Sequence, residues 1–204
     1  MRWVILGAVF TGLAFGITQG VIPGKAEKKV RDRLTRNGGT ADVQIRAIPA
    51  IRLLWDDGDE LDVQAHGIDI PARDLRGGSF KQLDGFDEMK FEMVRSQVGP
   101  FTADRVSLSR GEGEQNYNFT FGGSTSAGQL ASFALGTLPP ILRSLIETVG
   151  GRPAEAEIPI RLNAELKSEG GRAELVRGSG TVAGLPIGGI ALPIAGAIIS
   201  RLTG

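Results

Sequence analysis

Alternation of apolar and polar residues along the chain predicts about seven β-strands, each with one buried and one solvated face. Successive side chains in a strand point to opposite sides of a sheet, so this period of two is the expected signature. One-faced alternation indicates a mostly antiparallel sheet whose dry side is covered by helices, a second sheet or a ligand. The predicted strands are residues 40–47, 60–70, 86–98, 100–110, 115–122, 157–167 and 172–178.

The second predicted strand changes phase part-way along its length. Its apolar side chains fall at odd positions from Leu61 to Ala65 and at even positions at Ile68 and Ile70. One extra residue at Gly67 would form a β-bulge, which keeps the same face apolar while the sequence changes phase.

A period near four predicts an amphipathic helix over residues 25–37. Ala26, Val30 and Leu34 form its apolar stripe, the other faces are charged, and two glycines follow. Two roles stay open for this helix. It is a stalk that holds the domain off a membrane, or a basic helix that contacts anionic lipid headgroups.

Four other segments are apolar enough to form helices or buried loops. Residues 48–55 predict a short apolar helix, and Ser126 with Gln129 three residues later has the pattern of a capping box. Residues 140–149 carry a continuous apolar stripe. Residues 182–200 carry no charge, but their glycines and prolines favour a buried loop and a short C-terminal helix over a second membrane span.

The N-terminal segment has a different composition from the rest of the chain. Residues 3–23 carry no charge, and about 20 apolar residues suffice to cross a bilayer as a helix. We therefore expect a signal anchor at residues 1–24 and one α+β domain at 25–204, with a cleaved signal peptide or a soluble core helix as alternatives. The basic residues between 25 and 36 oppose export of that flank under the positive-inside rule.

Composition excludes several kinds of chemistry. Lys and Arg number 23 and Asp and Glu also number 23, which argues against a broad nucleic-acid-binding surface. The chain has no cysteine and one histidine, so disulfides, thiolate chemistry, most zinc sites and histidine triads drop out. His66 and Asp62 share a strand face but lie about 13 Å apart, too far to share a proton. We therefore expect neither an enzyme nor a bound cofactor.

Acidic residues cluster at one predicted turn, formed by Asp56, Asp57, Asp59 and Glu60. The spacing differs from that of an EF-hand loop, which needs alternating ligands over twelve residues. A solvated turn rich in Asp and Gly is the simpler interpretation, and a weak surface calcium site is the alternative.

The order of these elements resembles that of the LmeA-like bacterial phospholipid-binding family. The segments that carry the resemblance are KAEKKVRDRL, RAIPAIRLLWDDGDELDVQAHGIDIP, STSAGQLASF and GSGTVAGLPI, between about residues 25 and 200. The strand end at 67–71 fits the family's G-V-x-V-P pattern. The turn at 47–49 departs from its Gly-Phe-Pro-like pattern.

The resemblance implies a membrane-anchored, extracytoplasmic domain at the cell envelope that binds phospholipid without catalysis. It also implies a curved sheet wrapped on helices in a half-barrel, as in tubular lipid-binding (TULIP-like) folds. From the strand and helix faces we infer that the lipid groove is lined by Ile51, Leu54, Trp55, Met89, Phe91, Met93, Phe119, Phe121, Leu142, Ile146, Ile190 and Ile194. A scaffold domain with a self-packed core is the alternative, and a hydrolase of envelope lipids is a further one that lacks a convincing nucleophile–base pair.

Overall fold

The described part of the chain forms an α+β domain built on one open, curved sheet. The computed structural model describes residues 22–71, 80–126, 128–129, 155–182, 185–186 and 194–195. Within them the strands are β1 (Thr40–Arg46), β2 (Gly58–His66), β3 (Asp69–Ile70), β4 (Phe86–Val98), β5 (Phe101–Arg110), β6 (Asn116–Ser126), β7 (Glu157–Glu169), β8 (Arg172–Val182) and β9 (Leu185–Pro186).

The sheet is mostly antiparallel, as the alternation predicted. Its order is β1-β2-β4-β5-β6-β7-β8-β9, with β3 beside β4 as a continuation of β2. The exceptions are β2 and β3, which both run parallel to β4. All seven predicted strands are present. The count rises to nine because β3 separates from β2 at Gly67 and because the two-residue β9 follows β8.

Helix α1 spans the described residues 22–34 and packs along the edge strand β1. Leu34 is fully buried, and Ala26 and Val30 pack against the core, so the predicted apolar stripe is confirmed. The Glu27 carboxylate accepts a hydrogen bond from the Ile45 amide, which would otherwise lie unpaired on the sheet edge. Because its apolar stripe is buried against the sheet, α1 is part of the folded domain, and its role as a stalk or as a helix that contacts headgroups stays a prediction.

The predicted anchor at residues 1–24 lies almost wholly outside the described residues. Ile22 to Gly24 belong to α1. Across the described stretches, none of the helices combines the length and apolarity needed to cross a membrane.

A line of backbone irregularities crosses three neighbouring strands at one level. Gly67 (φ 65°) separates β2 from β3, and Arg95 (φ 48°) interrupts β4 between the paired positions on either side. In β5 the register with β6 shifts between Ala103 and Arg105, which leaves Asp104 as the extra residue of a bulge. We call this line the crease. Each strand changes phase there, so the same face stays buried on both sides. The phase change predicted at Gly67 is confirmed, but β4 changes phase with it and the register between them does not shift, so Gly67 is not the extra residue of a bulge as predicted.

Two other local predictions are confirmed. The Ser126 amide donates to the Gln129 side chain at 3.0 Å and the Gln129 amide donates to the Ser126 hydroxyl at 3.1 Å, which is a reciprocal capping box. β7 and β8 form the predicted hairpin around Gly170 and Gly171, both with positive φ. The predicted helix at 140–149 lies outside the described residues, as does most of the 182–200 segment.

Candidate functional site

The five candidate residues on the strands lie together on the buried face of the sheet. Met89, Phe91 and Met93 on β4, and Phe119 and Phe121 on β6, are each at most 2% exposed. Strand β5 lies between them and completes two adjacent apolar rows. The first row is Val63, Phe91, Leu108, Phe119 and Ala164, and the second is Ala65, Met93, Val106, Phe121 and Leu162.

These two rows run without a polar interruption across β2, β4, β5, β6 and β7. Four inter-strand steps make each row roughly 19 Å wide. Ile194, from the C-terminal segment, is also fully buried and belongs to the same core. The structure therefore brings together six of the twelve predicted residues. Leu142, Ile146 and Ile190 lie outside the described residues.

The remaining three candidates, Ile51, Leu54 and Trp55, do not join this core. Residues Ala50–Trp55 form a 3₁₀ helix between the edge strand β1 and its neighbour β2, and its side chains repeat every three residues. Ala50 is buried and Leu53 packs against the core, so Ile51, Leu54 and Trp55 point to solvent. A single groove lined by strand residues and by this helix, as inferred from the sequence, is not what the described residues form.

Arg52 fixes the loop that carries these exposed residues. Its guanidinium donates two hydrogen bonds to Asp57, at 2.7 and 2.9 Å, and one to Asp59 at 2.5 Å. Asp59 also accepts the Ile48 amide at 2.8 Å. The hydrogen bonds from Arg52 hold the pKa of the Asp57 carboxyl below its usual range. The loop is thus closed on itself by charge-assisted hydrogen bonds.

Three of the four acidic residues considered as a calcium site form ion pairs. Asp57 and Asp59 face Arg52, and Glu60 lies 3.1 Å from Arg46 across the β1–β2 pair. Over the described ranges, no set of three or more acidic or histidine side chains converges with the geometry of a metal site. The interpretation as a polar turn fits these contacts, and His66 is exposed on the outer face.

A buried polar cluster at the same end of the sheet was not predicted. Arg110 donates to the Tyr117 hydroxyl at 2.7 Å and to the backbone carbonyls of Leu83 and Phe86. The Tyr117 hydroxyl donates to Asp84 at 2.9 Å. Its burial raises the pKa of Tyr117 above the ordinary value, and Asp84 adds to this while Arg110 opposes it.

The cluster borders an open, mixed-charge cavity of about 410 Å³ that Lys167 and Ser168 also line. The Ser168 hydroxyl donates to the second oxygen of Asp84. These contacts hold the segment before β4 against the ends of β5, β6 and β7. The sequence did contain a signal for the burial of Arg110. It lies an even number of residues from Val106 and Leu108, so it shares their buried face of β5.

No protein-family model, curated protein or solved structure matches the chain. The resemblance to the LmeA-like family therefore rests on the sequence segments alone and stays a prediction.

Proposed function

We propose that this chain is a non-catalytic binding domain for phospholipid or another apolar ligand at a cell-envelope membrane. In this proposal the curved sheet is one wall of a TULIP-like half-barrel. The observation that carries it is the pair of uninterrupted apolar rows across five strands. The spacing between strands makes each row roughly 19 Å wide, which is comparable to the length of an extended acyl chain.

The chemistry of the rows supports a ligand of variable shape. Met93 and Phe121 lie on either side of Val106 of strand β5. Phe91 and Phe119 lie on either side of Leu108 in the same way. Methionine is flexible and polarisable, and aromatic rings present large flat surfaces, so both suit pockets that adapt to acyl chains. The outer face of the same strands is polar, which restricts an apolar ligand to one side of the sheet.

A specific observation favours the scaffold alternative. The five strand candidates are almost fully buried. Complete burial is also what a self-packed core produces, with no space for a ligand. The two functions differ in what fills the space beside the two apolar rows, which is either a bound ligand or other side chains of the protein.

Native mass spectrometry of the full-length chain, released from detergent, tests the proposal together with extraction of bound lipid. We expect about one phospholipid per chain, as a groove holding a single ligand requires. A lipid-free mass for the intact chain, together with no uptake from phospholipid vesicles, would refute ligand binding and leave the scaffold function.

A substitution in the first row separates the two functions further. Ala164→Phe adds a large side chain beside Phe119 on the buried face. If a ligand occupies that space, the variant stays folded and retains less lipid. In a self-packed core, the same change lowers the melting temperature, since overpacking costs about 1–3 kcal/mol. Asn163→Phe is the matched control, because Asn163 is the exposed neighbour of Ala164 on the same strand.

A further inference from the structure

The loop between β1 and β2 presents four large apolar side chains to solvent within eight residues. We call it the apolar loop and define it as residues 48–55. Within the described residues, two other large apolar side chains are similarly exposed, Leu175 and Val176 on β8. Contiguous exposed apolar side chains mark interaction sites more often than isolated ones do. The exposed fractions in the apolar loop are 75% for Ile48, 46% for Ile51, 65% for Leu54 and 71% for Trp55.

The apolar loop is exposed without being loose. Arg52 lies at its centre and makes hydrogen bonds to Asp57 and Asp59, which close the loop at its base. Ala50 is buried beneath it. The four apolar side chains are therefore held outward in a fixed arrangement, and docking them requires little further ordering of the backbone.

The described part of helix α1 begins at the same end of the molecule as the apolar loop. Helix α1 runs antiparallel to β1, because Arg31 contacts the backbone of Ala41 while Glu27 contacts that of Ile45. The N-terminal end of α1 therefore lies beside the C-terminal end of β1, where the apolar loop begins. Residues 3–21, which precede α1 along the chain, carry no charge.

We propose that the apolar loop docks on the surface of a phospholipid membrane, with Trp55 at the boundary between headgroups and acyl chains. Tryptophan favours that boundary because its ring is apolar and its N–H still finds a hydrogen-bond partner there. The adjoining uncharged segment and the apolar loop would then meet one membrane from the same end of the domain. This inference rests on the proposed membrane location and does not require a ligand in the sheet.

The charges around the apolar loop indicate the kind of membrane. Residues 47–60 contain one basic residue, Arg52, and four acidic residues. Because Arg52 is paired with two of those carboxylates, it offers little attraction to anionic headgroups. The apolar loop itself therefore docks through apolar contacts, for which neutral phosphatidylcholine suffices.

Tryptophan fluorescence in the full-length chain tests this proposal. The chain has two tryptophans, so Trp3→Phe leaves Trp55 as the single reporter. The probe is a phosphatidylcholine vesicle whose acyl chains carry bromine, which quenches tryptophan at short range. We expect Trp55 to be quenched by the brominated lipid, to be shielded from acrylamide, and to keep both properties in high salt.

Leu54→Asp in the same background is expected to remove most of the quenching, because it puts a charge beside Trp55 in the apolar layer. Val176→Asp is the matched control, since it changes an exposed apolar residue on β8, near the end of the strand order opposite β1, and should leave the quenching intact. Circular dichroism checks that both variants fold.

Three results would overturn membrane docking by the apolar loop. The first is Trp55 that is unquenched by brominated lipid and open to acrylamide in vesicles. The second is Trp55 that is shielded without lipid quenching, which would identify a second copy or another protein segment as the occupant. The third is quenching that requires anionic lipid and disappears in salt. Bound lipid in the mass spectrum is a separate readout, so either proposal can fail alone.

Discussion

Arg95 on β4 occupies the left-handed region of backbone conformation at the level where Gly67 separates β2 from β3. The two residues lie on adjacent parallel strands, each within an otherwise constant register. Glycine adopts this conformation at no steric cost, whereas an arginine there is strained. At the crease, the backbone is therefore unstrained at Gly67, where β2 ends, and strained at Arg95 on β4.

This difference predicts that Arg95→Gly stabilises the protein. Relief of the left-handed conformation is worth about 1 kcal/mol, reduced by the greater freedom of glycine in the unfolded chain. Arg161→Gly, at an exposed position of β7 that pairs regularly with β6 and β8, should destabilise by about 0.5–1 kcal/mol. Urea denaturation of both variants measures the difference, and a destabilised Arg95→Gly would contradict the strain.

The glycine pair on β6 predicts a sharp asymmetry between neighbouring positions. A Cβ atom on Gly123 would lie 2.1 Å from the Thr102 carbonyl oxygen, whereas one on Gly122 would lie 3.9 Å from its nearest neighbour. Because the first contact is with backbone, Gly123→Ala should destabilise by about 1–3 kcal/mol. Gly122→Ala should change stability by less than about 0.5 kcal/mol. Equal melting temperatures for the two variants would show that the strands separate at this point.

Tyr117 predicts how the protein responds to alkaline pH. It is the single tyrosine, so tyrosinate absorbance reports it alone. Its pKa is raised in the folded state, mainly by burial, so the associated stability is complete below the unfolded pKa of about 10 and is lost as pH rises beyond it. Tyrosinate absorbance should therefore appear together with loss of the circular dichroism signal. Ionisation well before unfolding would contradict the buried position.

Removal of the Tyr117 hydroxyl should also weaken the polar cluster. Tyr117→Phe leaves Arg110 and Asp84 each without one partner inside a buried network. We expect a loss of about 1–3 kcal/mol in the free energy of unfolding, measured by urea denaturation. Tyr117→Phe is chosen because it retains the ring that packs against Phe80 at 4.4 Å, so a cost near zero would show that the hydroxyl contacts are dispensable.

Arg52 predicts that the order of the apolar loop depends on one side chain. In Arg52→Ala, the amides of Ile48 and Asp57 should exchange with deuterium faster, because Asp59 and the loop base lose their anchor. Arg46→Ala is the control, since Arg46 forms an exposed pair with Glu60 next to the loop. Exchange measured residue by residue by NMR distinguishes them.

The hydrogen bonds between Arg52 and Asp57 also make the order of the apolar loop depend on pH. The pKa of Asp57 is lowered in the folded state by hydrogen bonds from Arg52. Its contribution to loop order is therefore present above the unfolded pKa of about 4 and is lost as pH falls through the lower folded value. The protection factor of the Ile48 amide, which corrects the exchange rate for its intrinsic dependence on pH, should fall on acidification in the native chain. An equally steep fall in Arg52→Ala would assign the effect to other groups.

Much of the fold was predictable from local pattern. Strand alternation, the phase change at Gly67, the capping box at Ser126 and the turn at 170–171 were all readable, because each is encoded within a few adjacent residues. The burial of candidate site residues was predictable only on strands, where the alternation of side chains decides which ones face the core, as for Phe91 and Phe121. The identity of a bound ligand and the membrane location remain proposals.

The sequence by itself determined which side chains of each strand face inward, since the alternation of a strand leaves two choices and burial of apolar area selects one. Tertiary structure decided what no local window contains. It set β2 parallel to β4, aligned Gly67 with Arg95 in the crease, and placed Arg110 beside Tyr117. It also turned Leu54 and Trp55 outward, because Ala50 and Leu53 occupy the inward-facing positions of their 3₁₀ helix.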